Sequence, residues 1–209
     1  MSDLSRPAIL IALACLICMP ASAHMSSPGA EGFVRGIGHP VFEPVQGLLA
    51  AMCGLLLGRA ERRASSQAWK ALLACLLLSL ISFLFVFSGH AVPVLAMLMV
   101  CALVAIVVAA WSQPPGPLVT GLAALSGLLL GANAVSTGSE GQIATSSGAL
   151  LGAAMGIVYL AGAALWLKDR EAKLPWLAYV PRVIAAWGVA ITVMLVAFEL
   201  RPVLAGQAA

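Results

Sequence analysis

The stretch GFVRGIGHPVFEPVQGLLAAMCGLLLG, Gly32 to Gly58, passes from glycine-rich to wholly apolar across a His39-Pro40 pair. From Gly47 onward it holds no acidic or basic side chain. Such a run is at home only inside a protein core or a bilayer, and the rest of the chain decides between them. Of the 209 residues, 62% are hydrophobic and 9% charged. A soluble domain usually carries about 25% charged residues and could not cover its surface with so few. The expected solvent is therefore lipid. The net charge of +3 is small, and no Lys/Arg run points to nucleic acid.

Upstream of this stretch the chain reads as a secretory signal. MSDLSR is a short n-region, PAILIALACLICM an apolar core, and Pro20 breaks the helix before ASA. Ala21 and Ala23 suit the two small-residue subsites of a signal peptidase. The expected organisation is thus a signal peptide over 1–23 and a membrane domain over 24–209, with His24 as the first mature residue. An uncleaved first span is the alternative. Cys15 carries no lipobox. Of the remaining cysteines, Cys53, Cys75 and Cys101 each fall inside an apolar run and read as small buried residues.

Downstream, apolar segments are expected at Phe42–Leu57, Ala68–Phe87, Ala91–Trp111, Pro117–Val135, Ala144–Leu167 and Trp176–Leu200. Most have the roughly 20 residues needed to cross a bilayer as helix. The first is short, and GFVRGIGHP either extends it or dips into the interface. The expected fold is all-α and integral to the membrane: a six-transmembrane-helix bundle. Arg59, Arg62, Arg63 and Lys70 share one side with Lys168, Arg170 and Lys173 if the helices alternate. The positive-inside rule makes that side cytoplasmic. Both mature termini are then periplasmic, in a bacterial inner membrane, as a cleaved signal also requires. Trp69, Trp111, Trp166 and Trp176 sit near span ends, as an interfacial aromatic belt does.

Small residues recur at helical spacing. Gly148, Gly152 and Gly156 form one stripe, Gly54/Gly58 and Gly127/Gly131 shorter ones. Such stripes let helices approach closely and point to a compact bundle with little lipid between helices, a permeation path lined by exposed backbone being the alternative. A membrane-protein partner or a second copy of the chain is a separate open expectation. GLLAAMCGLLLG from Gly47 also resembles GLAALSGLLLG from Gly121, one residue shorter. Three-plus-three inverted repeats are a transporter architecture. The dominance of Gly, Leu and Ala in every segment is the simpler account of the echo.

Groups able to do chemistry are few, and no catalytic set is present: an enzyme is not expected. His24, His39 and His90 are expected on the periplasmic side with Glu31, Glu43 and Glu140. Imidazole and carboxylate suit a divalent transition metal. A free α-amine at His24, with an unperturbed pKa of about 7.7–8.0, would chelate together with its imidazole. The bland alternatives are a frayed terminus for His24 and interfacial or surface roles for His39 and His90. Pro40 disfavours helix at His39 and permits a helix start just after, so the pair is expected to mark a turn into the membrane.

The signal, the histidine at the mature terminus, GFVRGIGHP, GLLAAMCGLLLG, YLAG and PRVIAAWGVAI together resemble the HupE/UreJ family over essentially the whole mature chain. The resemblance implies a small six-helix membrane protein associated with hydrogenase or urease, regarded as a nickel or cobalt permease. It places His39-Pro40 and Met52 on family positions. The family's Asp-His pair falls here on Gln46 and Gly47, and its fifth-helix histidine on Tyr159. The region after the fourth segment, GANAVSTGSEG, has no histidine. Two functions stay open on these residues. One is a divalent-metal permease, most readily for Ni2+, using His24, His39, Glu43 and Gln46 as metal ligands. The other is a non-transporting membrane scaffold or accessory subunit that has lost the metal site. A permease for a different small solute is a third.

Overall fold

The structure, a computed structural model, describes residues 28–85, 94–134 and 142–206. The predicted signal over 1–23, His24, His90 and Glu140 lie outside the described residues. Within them the chain is helical, with no strand. The helices are α1 (Pro28–Phe42), α2 (Pro44–Arg59), α3 (Arg62–Phe85), α4 (Val94–Ala110), α5 (Gly116–Asn133), α6 (Gln142–Arg170) and α7 (Val180–Gly206). A 3-10 turn over Pro175–Tyr179 leads into α7. Helices α2 to α7 overlap the six apolar segments, with ends that differ by up to six residues.

Three of them are long and apolar enough to cross a membrane: Gly116–Asn133, Ile143–Arg170 and Pro175–Arg201. The count rises to four if Gly32–Pro40 and Pro44–Arg59, which meet at 64°, form one broken span. Val94–Ala110 is apolar but shorter. Only 22% and 17% of the windows on α6 and α7 are buried within the protein. Their outward faces carry Leu151, Met155, Val158, Val183, Trp187, Val193 and Phe198. Water would not tolerate so much large apolar surface, and lipid does.

The centre is α2. It touches every other described helix, and all residues from Met52 to Arg59 are buried. A helix that must be apolar on all sides needs no polar stripe, which is why its sequence shows none. Close approach is bought with glycine. A Cβ at Gly54 would lie 2.8 Å from the Ile157 carbonyl oxygen of α6, and one at Gly58 would lie 2.6 Å from that of Ala161. Gly127 and Gly131 of α5 ride in the same way over the carbonyls of Leu72 and Leu76 of α3. Positions rise together in both pairs, so α2 runs parallel to α6 and α3 parallel to α5. The Ser79 hydroxyl also donates to the Leu128 carbonyl at 2.6 Å across the α3–α5 seam. Such interhelical bonds are worth about 0.6 kcal/mol on average in membranes. Thr192 donates to the Gly188 carbonyl one turn back on α7 at 2.7 Å and reaches across to the Cys101 thiol of α4 at 3.6 Å. Cys53 and Cys101 are buried, Cys75 is half-buried, and none forms a disulfide.

One end of the bundle is tied by charge. Arg59 is 4% exposed, pairs with Glu171 and donates to the Ser112 carbonyl at 3.2 Å. Lys168 reaches the Ala60 carbonyl at 3.4 Å, and Arg170 stacks over Trp166 at 4.2 Å. The C-terminal ends of α2, α4 and α6 therefore meet, as alternating helices require. The two basic segments come to one end, and Trp69, Trp111, Trp166 and Trp176 flank that same end.

Candidate functional site at the helix break

His39 and Pro40 do not mark a turn. Helix α1 runs through both to Phe42, and the break falls at Glu43, whose φ of −95° and ψ of 98° are extended. Pro40 costs the helix one donor but the chain continues, because the Glu43 N–H still bonds the His39 carbonyl at 2.9 Å. The second proline completes the break. Pro44 has no N–H to offer the Pro40 carbonyl, so that oxygen loses its helical partner just as Pro40 deprived Gly36. Helix α2 then starts with Pro44 at its first position, where a missing N–H costs nothing. The Pro40–Pro44 spacing is the signal in the sequence that locates the break; Pro40 alone misplaces it.

The break opens a cleft of about 210 Å3 between α1/α2 and α6, lined by Pro40, Pro44, Gly47, Ala50, Gly152, Gly156 and neighbours. The lining side chains are apolar, so polar contact in the cleft must come from backbone. The Pro40 carbonyl is such a group, and Gly47 lets it sit where a side chain would otherwise begin. On α6, Gly148 and Gly152 are covered by α1 at Phe33 and Ile37, whereas Gly156 has nothing within 4 Å of its Cβ position. The glycine stripe therefore grades along α6: Gly148 packs on α1, Gly152 packs on α1 and reaches the cleft, and Gly156 faces the cleft alone.

The expected ligands are distributed around this break. His39 occupies the last turn of α1, half-buried, with its Nδ1 buried and without a hydrogen bond among the described residues. Glu43 sits at the break itself and is exposed. Gln46 lies in the first turn of α2, 3% exposed. Among the described residues no group of three or more His, Cys, Asp or Glu side chains is placed to hold a metal ion. Tyr159 is half-exposed on α6. Sequence reasoning misses the Arg59–Glu171–Ser112 cluster altogether, because its members are joined only by the helix pairing.

No protein-family model, curated protein or solved structure matches the chain. What the described residues define is an all-helical protein with three to four helices long and apolar enough to cross a membrane, and a helix break that leads into its central helix.

Proposed function

We propose that this chain is a HupE/UreJ-like, six-span inner-membrane protein with a cleaved signal over 1–23 and both mature termini periplasmic, acting as a permease for a divalent metal ion, nickel first. The observation that carries the reading is the break between α1 and α2. His39, with its unpartnered Nδ1, precedes Pro40, which lines the cleft between α1/α2 and α6 and whose carbonyl has no helical N–H at Pro44; His39, Glu43 and Gln46 flank the cleft and are not among its lining residues. Broken helices whose freed carbonyls line a cavity are how secondary transporters contact ions within the membrane. The ion is cargo: His24, His39 and Glu43 capture it on the outer side, and Gln46 marks the way inward. Gln46 supplies a weak carbonyl ligand in place of a charged one, so binding is loose enough to release.

The second reading, a non-transporting scaffold or nickel-enzyme accessory subunit, is favoured by one observation: the described residues gather no three-ligand cluster. Nickel accumulation in cells depleted of other nickel importers separates the two. Uptake by the wild type that falls with His39→Ala supports the permease and its ligand. No uptake by well-expressed wild type overturns the permease and leaves the scaffold. Uptake indifferent to His39→Ala keeps transport and removes His39 as ligand.

A further inference from the structure

The α2–α6 and α3–α5 seams are copies of one another. Gly54 and Gly58 cross the carbonyls of Ile157 and Ala161, and Gly127 and Gly131 cross those of Leu72 and Leu76. The next contact is shared too: Gly58 meets the Ala164 Cβ at 2.6 Å and Gly131 the Ser79 Cβ at 3.1 Å. These three steps along one seam have counterparts in the other. A parallel glycine seam advances four residues on its partner for every four on itself, so the shared spacing follows from helix geometry, and the independent sign of symmetry is where the two glycine helices cross. Cys53 and Ser126, which precede Gly54 and Gly127, face each other where α2 crosses α5. A position that touches its own equivalent lies on a two-fold axis. The third members of each half, α4 and α7, pack on each other as well.

The copy is imperfect in informative ways. Helix α2 packs on α4, and α5 has no contact of like extent with α7. The α5 position equivalent to Arg59 is Ala132, so the ion pair with Glu171 has no duplicate at the opposite end. One end of the bundle is clasped, and the cleft at the Pro40–Pro44 break opens nearer the other. We propose that α2–α3–α4 and α5–α6–α7 form an inverted repeat whose two-fold axis passes between Cys53 and Ser126, and that Arg59–Glu171 is the closure of its inner end. Inverted repeats work by rocking one half against the other about a fixed centre. Among the described residues an ion pair is found at this end alone, and such a pair acts as a state-dependent latch: it forms when the inner end is shut and parts when it opens. A buried guanidinium left without its carboxylate is costly, which gives the latch its grip.

The proposal rests on the six-span permease reading, but its test reads accessibility and not uptake. A cysteine is placed at Leu57, fully buried two residues before Arg59, in a chain whose native cysteines are alanine. A membrane-impermeant maleimide is applied to right-side-out and to inverted vesicles. With Arg59–Glu171 intact, L57C reacts slowly. With Glu171→Gln it reacts about tenfold faster in inverted vesicles, a typical conformational coupling, while Glu171→Asp keeps the slow rate. Equal rates in the parent and Glu171→Gln overturn the latch. A second reporter at Leu76, in the α3–α5 seam, stays protected throughout; if it also reacts, the pair holds the whole fold together and the latch is overturned. Faster labelling in a protein that moves no nickel leaves the latch standing and removes only the metal.

Discussion

The carbonyl oxygen of Pro40 occupies the place where a side chain at Gly47 would begin. This contact sets the entry angle of α2 and keeps the orphaned carbonyl at the cleft. Gly47→Ala must push the two helix ends apart. The expected cost is about 1–3 kcal/mol, as for other overpacked sites, read as a lower melting temperature in detergent. Gly47→His, the residue the family resemblance expects, is larger still. It is expected to lower stability further and not to restore a ligand, because the imidazole has no room against Pro40. A Gly47→His protein as stable as wild type would show that the break is not held by this contact.

Glycines that look alike in sequence are expected to respond differently. Gly58→Leu drives a side chain into the Ala161 carbonyl and the Ala164 Cβ, so loss of folded protein is expected, at a cost above about 3 kcal/mol. Gly156→Leu meets nothing within 4 Å. Its stability should stay within about 1 kcal/mol, since a better helix former offsets lost freedom. In the permease reading it fills the cleft and lowers nickel accumulation. Size-exclusion recovery and uptake, measured on both variants, check the contrast.

The contrast shows what the sequence carries and what it withholds. Apolar runs and small-residue stripes are local in the chain, so the helices and their glycine seams can be read directly. The extent of α1 cannot be read from Pro40 alone, because a helix tolerates one lost donor and breaks only when Pro44 removes a second. The separate duties of Gly152 and Gly156 depend on where α1 ends along α6. Arg59 and Glu171 are far apart in sequence and meet only because α2 and α6 run parallel. His39 was legible as a candidate; the unpartnered state of its Nδ1 needed the fold.

Orientation gives a prediction of its own. Arg59, Lys168 and Arg170 cluster at one end, and the proposed topology assigns that end to the cytoplasm by the positive-inside rule. Alkaline phosphatase fused within the Lys173–Leu174 connection should be inactive, and a fusion after Ala209 active. The opposite pattern would invert the topology and place His39 on the cytoplasmic side.

Cys53 and Ser126 provide the sharpest check on the centre of the bundle. Both are fully buried, and the Ser126 hydroxyl has the Cys53 thiol as neighbour and no hydrogen bond of ordinary geometry. Ser126→Cys therefore puts two thiols face to face where α2 crosses α5. Mild oxidation with a membrane-permeant oxidant is expected to join them, the bond requiring a Cβ–Cβ separation of roughly 3.5–4.5 Å across the crossing. The product should lose that pair of thiols on titration after denaturation, while Cys75, half-buried on α3, still reacts. The same treatment of wild type should leave Cys53 free. Since the crossing lies on the proposed axis, the bond fixes the fixed point and leaves rocking of the halves intact. Cross-linked protein should then keep its uptake, whereas a bond that abolishes uptake would place α2 and α5 among the parts that move.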